Sequence, residues 1–151
     1  MFTGTIVALI TPFDGQGRLD LDGVDRLVDF HLENGTSGIV VAGTTGESPT
    51  LTKGEFKRLV KRVVKRCGSQ IPVLAGTGGA STAKTVQQTR RAADLGADGA
   101  LVVTPYYNRP MQRGLLEHFT AVADAGGLPI VLYNVPSRTA VDLLPETTVE
   151  L

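Results

Sequence analysis

Five short runs of apolar residues alternate along the chain with longer segments in which apolar residues recur at helical spacing. The runs occupy residues 5–10, 38–42, 72–75, 100–103 and 129–133. Each is apolar at nearly every consecutive position, whereas a strand with one solvated face alternates apolar and polar residues. We therefore predict five strands that are buried on both faces, as in a parallel sheet.

The segments between the runs predict helices, and one of them is marked at both ends. Thr52 and Glu55 have the spacing of a capping box, apolar residues follow at helical intervals as far as Cys67, and Gly68 stops the pattern. Pro145 is typical of the first position of another helix. Three further segments show helical spacing, at 24–31, 81–95 and 115–122.

This order, a strand followed by a helix in each repeat, implies right-handed crossovers and a parallel sheet covered by helices. Positions just past the strands, at 11, 43, 76, 104 and 134, recur roughly every 30 residues. Two architectures fit. One is an open doubly wound sheet; the other is an α/β (β/α)8 TIM barrel, of about 250 residues in full, represented by its first five strands, four complete helices and the start of the fifth. In both, ligands bind beyond the carboxyl ends of the strands.

Composition narrows the class of protein. The 151 residues include 15 Lys+Arg and 15 Asp+Glu and are 42% hydrophobic, which predicts a single globular domain over 1–151 and leaves no basic excess for nucleic acid. A single cysteine cannot form an internal disulfide or a cysteine zinc site, so a cytoplasmic location is expected. No apolar run approaches the roughly 20 residues of a membrane span, and the first residues lack the basic region of a signal peptide. We expect no membrane or nucleic-acid partner.

Two glycine-rich segments follow predicted strands. Gly-Thr-Thr-Gly-Glu-Ser at 43–48 could hold a small carboxylate or phosphate, because its glycines allow close approach and its threonines supply hydroxyls and N–H groups. From the residues alone, a turn that satisfies its own backbone explains it equally well. Gly-Thr-Gly-Gly-Ala-Ser at 76–81 begins like a dinucleotide-binding turn, but Ser81 stands where that pattern has Gly or Ala, which disfavours nucleotide binding.

Tyrosines follow two other predicted strands. The segment 104–110 contains a tyrosine pair between two prolines, which is more often a packing feature than a catalytic one. Tyr133 ends the fifth strand and Arg138 comes five residues later, a pattern that suits an acid/base phenol beside a carboxylate clamp.

The remaining reactive side chains are interpreted as structural. His31 and His118 lie in helical segments away from the strand ends, and Cys67 continues an apolar stripe as a core thiol. The basic pairs within 57–66 repeat at helical spacing, which favours a solvated helix face.

Taken together, four segments carry a family resemblance: Phe-Thr-Gly at 2–4, Gly-Thr-Thr-Gly-Glu at 43–47, Thr-Pro-Tyr-Tyr-Asn at 104–108 and Tyr-Asn-Val-Pro-Ser-Arg-Thr at 133–139. In this order they resemble dihydrodipicolinate synthase, over the whole chain. The second segment is shared across the wider pyruvate-dependent class I aldolase (N-acetylneuraminate lyase) superfamily, whereas Arg138 favours the synthase. The resemblance implies a (β/α)8 barrel, of which residues 1–151 would be the amino-terminal portion of a single incomplete domain with no second domain. It also implies a lyase that condenses pyruvate with L-aspartate 4-semialdehyde in the diaminopimelate route to lysine.

The resemblance also implies roles for particular residues. Thr44, Tyr107 and Tyr133 would form a proton relay, Thr45 would help to hold the pyruvate carboxylate, and Arg138 would position its loop and the carboxylate of the second substrate. Phenols ionise only near pH 10, so a tyrosine is a poor base alone but a competent member of a hydroxyl relay. We expect no cofactor and no metal. The resemblance implies a homo-oligomer, a dimer of dimers, in which Tyr107 reaches into a neighbouring subunit's site.

Two features depart from the family pattern. The Schiff-base lysine belongs after the sixth strand, beyond Leu151, and is absent from this chain, so we expect the isolated chain to be inactive. Members inhibited by lysine carry histidines, an asparagine and a glutamate at positions that here are Lys53, Phe56, Ala80 and Lys84. We therefore expect an enzyme with this sequence to be insensitive to lysine.

Three alternatives stay open at this point. The chain could be a non-catalytic module that binds small acids or completes the barrel of another chain, since five strands of a barrel leave two unpaired apolar edges. It could belong to another pyruvate-dependent aldolase or lyase of the same superfamily. An open flavodoxin-like nucleotide-binding domain is the least favoured.

Overall fold

The computed structural model describes residues 2–151 and contains the five predicted strands; Met1, which the predicted domain includes, lies outside the described residues. Each strand falls on its apolar run to within one residue at either end, except that β1 ends two residues before its run does. The strands are β1 (Ile6–Ala8), β2 (Gly38–Val41), β3 (Val73–Gly76), β4 (Gly99–Val103) and β5 (Ile130–Tyr133).

The strands form one parallel sheet in the order β1-β2-β3-β4-β5. Val7 pairs with Ile39, Ile39 with Val73, and Val103 with Tyr133, so the register is continuous across the sheet. A doubly wound sheet reverses its strand order at a switch point. Because every neighbour here is consecutive in sequence, the open doubly wound alternative is wrong, and the five strands form a half-barrel.

Helices connect successive strands as predicted. They are α1 (Leu21–Glu33), α2 (Lys53–Cys67), α3 (Thr82–Asp94) and α4 (Gln112–Gly126), followed by the short α5 (Pro136–Thr139) and α6 (Pro145–Glu150). Pro145 is the first residue of α6, as its position predicted. The sequence did not indicate α5 or the single 3-10 turn at Ser48–Thr50.

The predicted capping box of α2 is confirmed. The backbone N–H of Glu55 donates to Thr52 Oγ1 at 3.2 Å, and the backbone N–H of Thr52 donates to Glu55 Oε2 at 2.8 Å. Gly68 ends the helix with φ 56°, in the left-handed region that glycine tolerates. These two signals fix where α2 begins and where it ends.

One face of the sheet packs against the helices. Ile39, Val41, Val73 and Ala75 lie in a buried cluster with the apolar stripe of α2, which includes Cys67. β2 is buried along its whole length, as predicted.

The other face lines a concave apolar cavity of about 720 Å³. Its strand residues include Ile6, Val40, Leu74, Leu101 and Val131. The prediction that every strand is buried on both faces is wrong for β1 and β5, which contain no fully buried residue. The physical reason is that, within residues 2–151, each of these strands pairs on one side alone.

The basic face of α2 is less solvated than predicted. Arg62 forms a bidentate pair with Asp25, with Nε–Oδ1 2.7 Å and Nη2–Oδ2 2.6 Å, and Arg66 pairs in the same way with Asp29 at 2.6 Å. Both carboxylates belong to α1, so the two arginines join neighbouring helices. The other basic residues of the run are exposed, in agreement with the prediction.

Candidate functional site

The loops that follow the strands collect at the carboxyl edge of the sheet, because all five strands run in the same direction. A cavity of about 720 Å³ opens there, lined by residues of the loops after β2, β3, β4 and β5, by the first turn of α2 and by one side of α3. Thr44 and Arg138 are among its lining residues. The structure therefore brings together one predicted member of the proton relay and the predicted carboxylate clamp.

The loop after β2 presents both predicted threonines to solvent. Thr44 and Thr45 are exposed, and the Thr44 carbonyl accepts a hydrogen bond from the Glu47 N–H at 3.1 Å. Glu47 has φ 57°, so the loop turns through the left-handed region.

Gly46 has a packing role in the structure. A Cβ at this position would stand 2.9 Å from the Leu9 carbonyl oxygen and 3.1 Å from Thr11 Oγ1. Thr11 Oγ1 in turn donates to the Gly46 carbonyl at 2.6 Å in a buried hydrogen bond. The glycine thus permits close approach of the chain after β1, and this contact fixes the position of the threonine loop.

The glycines after β3 are also explained by packing. A Cβ on Gly76 would collide with the Ala42 carbonyl, and one on Gly78 with the Val103 backbone N–H. Backbone atoms at the ends of neighbouring strands therefore leave no room for a side chain at these two positions. The resemblance to a dinucleotide-binding turn therefore has a structural cause that involves no nucleotide.

The loop after β4 points its tyrosines in different directions. Tyr106 lines the cavity, whereas Tyr107 is 92% exposed, has φ 71° and is not among the lining residues. Two side chains hold the loop: Asn108 Nδ2 donates to the Ala80 carbonyl at 3.0 Å, and Arg109 Nε donates to the Ala140 carbonyl at 3.0 Å.

The end of β5 supplies the remaining predicted residues. Tyr133 is half-buried, and its carbonyl accepts from the Thr104 N–H at 3.0 Å. Arg138 lies in α5, and its side chain is exposed at the rim of the cavity. Thr45, Tyr107 and Tyr133 do not line this cavity, so their predicted roles stay predictions.

The structure places in or beside the cavity several residues to which sequence reasoning assigned no catalytic or substrate-binding role. Thr104 is fully buried at the end of β4, and its hydroxyl has no hydrogen-bond partner among the described residues. Ser48, Gln88 and Arg91 line the cavity, as do the four positions that depart from the lysine-inhibited pattern, namely Lys53, Phe56, Ala80 and Lys84. The sequence signal that could have found part of this set is the spacing of Lys84, Gln88 and Arg91, which places the three residues on one face of a helix.

The histidines and the cysteine are structural, as predicted. His118 is buried, its Nδ1 lies 2.9 Å from Thr82 Oγ1, and burial lowers its pKa. His31 Nδ1 lies 3.0 Å from Thr36 Oγ1. Burial raises the pKa of the Cys67 thiol to about 11, so it stays protonated near neutrality.

Residues 2–151 contain neither a cluster of metal-binding side chains nor a membrane-spanning helix. No cluster of three or more His, Cys, Asp or Glu side chains in that range could hold a metal ion. None of the helices described is both long and apolar enough to cross a bilayer.

A parallel half-barrel with a cavity at the carboxyl ends of its strands places the chain among the (β/α)8-barrel proteins. Comparison with known proteins gives the family. The model of the Dihydrodipicolinate synthetase family matches residues 1–151. The 4-hydroxy-tetrahydrodipicolinate synthase of Stenotrophomonas maltophilia (strain R551-3) is 59% identical over 149 residues, which cover 99% of this chain and 50% of the relative. This chain belongs to the dihydrodipicolinate synthetase family.

Solved structures agree with the half-barrel. A chloride-inhibited dihydrodipicolinate synthase from Acinetobacter baumannii, complexed with pyruvate, superposes with a TM-score of 0.98 at 47% identity, over 100% of this chain and 52% of its own. A structure described as the first monomeric dihydrodipicolinate synthase variant gives 0.96 at 48% identity, over 99% and 49%. The chain spans about half the length of the relatives it matches.

Proposed function

We propose that this chain supplies the proton-transferring half of a 4-hydroxy-tetrahydrodipicolinate synthase, a lyase of the class I aldolase type that acts in the cytoplasm. The reaction condenses pyruvate with L-aspartate 4-semialdehyde. One observation carries the proposal: Thr44 and Arg138, which the family motifs assign to proton transfer and to carboxylate binding, line one cavity at the carboxyl edge of the sheet.

Each proposed role matches the chemistry of its side chain. Imine formation between an amine and the pyruvate ketone expels water, so a hydroxyl must donate a proton to the departing oxygen and take one from nitrogen. The relay of Thr44, Tyr107 and Tyr133 serves this exchange, and it later protonates the oxygen of the aldehyde when the new carbon–carbon bond forms. Thr45 and Arg138 hold the two carboxylates by hydrogen bonds and charge.

The amine itself is not supplied by the residues of this chain. Its lysines lie on α2 and α3, and the two that line the cavity, Lys53 and Lys84, are exposed. A lysine that forms a Schiff base is activated by desolvation or by a cation close to its amine, and exposed lysines at the rim keep their hydration. We infer that the isolated chain binds the substrates' carboxylates but does not form the covalent adduct.

Tyr107 supports an oligomeric arrangement. Its ring is 92% exposed on a loop held from both sides, so it is available to a second copy of the chain. We propose that the complete protein forms a homo-oligomer, as a dimer of dimers, in which Tyr107 completes a neighbouring site. A monomeric variant exists among the structural relatives, so this arrangement must be measured for the protein itself.

A graft tests the function. This chain would replace the matching half of the Stenotrophomonas maltophilia synthase, and the hybrid would be assayed for condensation and for borohydride-trapped pyruvate. We expect an active hybrid that loses at least about 100-fold in kcat on Thr44→Val, whereas the exposed helical variant Thr120→Val stays within two-fold. A hybrid with the circular dichroism spectrum of the intact synthase but no adduct would refute the proposal.

A further inference from the structure

Arg138 lies in a helix that is too short to hold its own shape. α5 is a single turn of four residues, and so short a helix is unstable in water because its few hydrogen bonds do not offset the cost of ordering the backbone. It ends at Ala140, whose φ of 57° lies in the left-handed region that alanine seldom adopts. The Arg138 side chain is exposed, and none of the ion pairs within residues 2–151 includes it. The direction of its guanidinium therefore depends on what holds the backbone of α5.

The loop after β4 holds the end of this turn. Arg109 Nε donates to the Ala140 carbonyl at 3.0 Å, across 31 residues of sequence. Arg109 itself has φ 47°, so both partners of this hydrogen bond have a left-handed backbone. Non-glycine residues keep such a conformation only where the surrounding structure determines it. The bond thus ties the end of α5 to the loop that carries Tyr107.

The first residue of α4 holds the chain that follows the turn. Gln112 Nε2 donates to the Asp142 carbonyl at 2.7 Å, and its Oε1 accepts from the Leu144 N–H at 3.2 Å. The same Oε1 accepts from the Thr147 hydroxyl at 2.7 Å, so both ends of the half-buried amide are used. One side chain thus fixes two backbone groups of the segment after α5.

Asn134 holds the same segment from the end of β5. Its Nδ2 donates to Asp142 Oδ1 at 2.7 Å, and its Oδ1 accepts from the Leu143 N–H at 3.1 Å. Leu143 is buried and belongs to the apolar cluster that α4 covers. The chain is therefore fixed on both sides of α5, since Asn134 precedes the turn and residues 140–144 follow it.

We propose that Arg109 and Gln112 are positioning residues for the carboxylate of the second substrate, because by holding residues 140–144 they set the direction of the Arg138 guanidinium. An arginine binds a carboxylate through two parallel hydrogen bonds, which require its planar fork to be aligned. A displacement of about 1 Å in such an arrangement is costly. The pyruvate carboxylate is assigned to Thr45 on another loop, so its binding should not change. The inference rests on the proposed function for the identity of the carboxylate.

Steady-state kinetics of the graft test the inference at the level of the substrates. Gln112→Met keeps the size of the side chain but removes its hydrogen bonds. We expect it to raise the KM for L-aspartate 4-semialdehyde at least about five-fold, while the KM for pyruvate stays within about two-fold. A rise in both constants together, or in neither, would overturn the proposal.

Arg109 is tested with a conservative variant and a matched control. Arg109→Met should raise the KM for the semialdehyde about three-fold, and Arg109→Lys, whose ammonium can still donate to the Ala140 carbonyl, should restore most of the affinity. Arg113→Met removes the same group from an exposed arginine that pairs with Glu117 within α4, and it should leave both KM values unchanged. Equal effects of the two methionine variants would show that charge, and not positioning, sets the affinity.

Thr147→Val separates positioning from the packing of α6 on α4. It removes one of the three hydrogen bonds of Gln112 and leaves the two to the backbone of residues 142 and 144. The melting temperature should fall slightly, while the KM for the semialdehyde stays within about two-fold. A rise in KM equal to that of Gln112→Met would assign the effect to helix packing and overturn the proposal.

Amide hydrogen exchange of the 151-residue chain gives a readout that needs no activity. The N–H groups of residues 138–140 close the turn of α5. Their exchange, followed by NMR, should become at least about five-fold faster in Gln112→Met and in Arg109→Met but not in Arg113→Met. Unchanged exchange in the first two would overturn the inference whether or not the graft is active. An inactive parent graft would refute the proposed function alone, because faster exchange in the chain still shows that the two residues hold α5.

Discussion

Asn108 joins two loops of the candidate site, since its Nδ2 donates to the Ala80 carbonyl 3.0 Å away. Tyr107 precedes it with φ 71° and an almost fully exposed ring. The hydrogen bond thus anchors a loop whose backbone lies in the left-handed region that non-glycine residues seldom adopt.

We predict that Asn108→Ala loosens this loop more than it destabilises the fold. The global cost should be about 1 kcal/mol or less, because an exposed hydrogen bond has a modest net value. Amide hydrogen exchange of residues 106–109 should become several-fold faster, while exchange in β3 and β4 stays unchanged. Equal exchange rates in the variant and the parent chain would show that this contact does not hold the loop.

A methyl group at Gly76 should be costly. The added Cβ would meet the Ala42 carbonyl, a backbone atom that cannot rotate away. We expect Gly76→Ala to lower the free energy of unfolding in urea by about 2 kcal/mol or more.

Gly54→Ala is the matched control for that variant. Gly54 lies in the first turn of α2, and the nearest atom to an added Cβ is 4.0 Å away. Alanine in a helix should raise stability by about 0.5 kcal/mol. Similar effects of the two substitutions would contradict the packing explanation for the glycines after β3.

Stability should fall as the solution becomes acidic, beginning with His118. Burial lowers the pKa of this residue below its ordinary value of 6.5, so the unfolded chain takes up a proton before the folded chain does. The contribution of neutral His118 to the free energy of unfolding is therefore complete above about pH 6.5 and is lost as pH falls through its pKa in the folded state. Urea unfolding measured from pH 7.5 to 5 should show this slope.

The variant His118→Gln should flatten that slope while it keeps a polar group beside Thr82. Carboxylates add to the acid sensitivity at lower pH. The hydrogen bond from Arg66 lowers the pKa of Asp29, so the stability that this carboxylate contributes is lost as pH falls below the ordinary pKa of 3.8 towards the pKa of the folded state. An unchanged slope above pH 5 in the glutamine variant would assign the acid sensitivity to another group.

The exposed inner face and edges of the sheet should drive self-association of the isolated chain. β1 and β5 each pair on one side within residues 2–151, and the apolar cavity between them is open. Such edges pair with other chains. Sedimentation should show concentration-dependent oligomers, whereas a stable monomer with cooperative unfolding would favour an independent module.

Much of this fold could be predicted from particular residues. Continuous apolar runs such as 38–42 located the strands, and the pairing of Thr52 with Glu55 fixed the start of α2. The four-residue α5 was missed because so short a segment shows no helical period. Two unpaired edges were expected, but the burial of β1 and β5 was overestimated because a continuous apolar run does not show how much of a strand its neighbours cover.

The candidate site was predictable in part. Thr44 and Arg138 were found because each follows a strand in a motif, and parallel strands bring such loops together. The exposure of Tyr107 depends on backbone angles that residue types do not specify. Gln88 and Arg91, which line the cavity, were not predicted because the approach of their helix to the loops depends on tertiary packing.

The most direct test of the central claim is borohydride trapping with pyruvate, followed by intact-mass and peptide analysis. The 151-residue chain alone should gain no mass, while the graft with the second half of the Stenotrophomonas maltophilia synthase should gain the mass of one reduced pyruvate per chain, on a lysine outside residues 1–151. An adduct on the isolated chain, at Lys53 or Lys84 above all, would contradict the account.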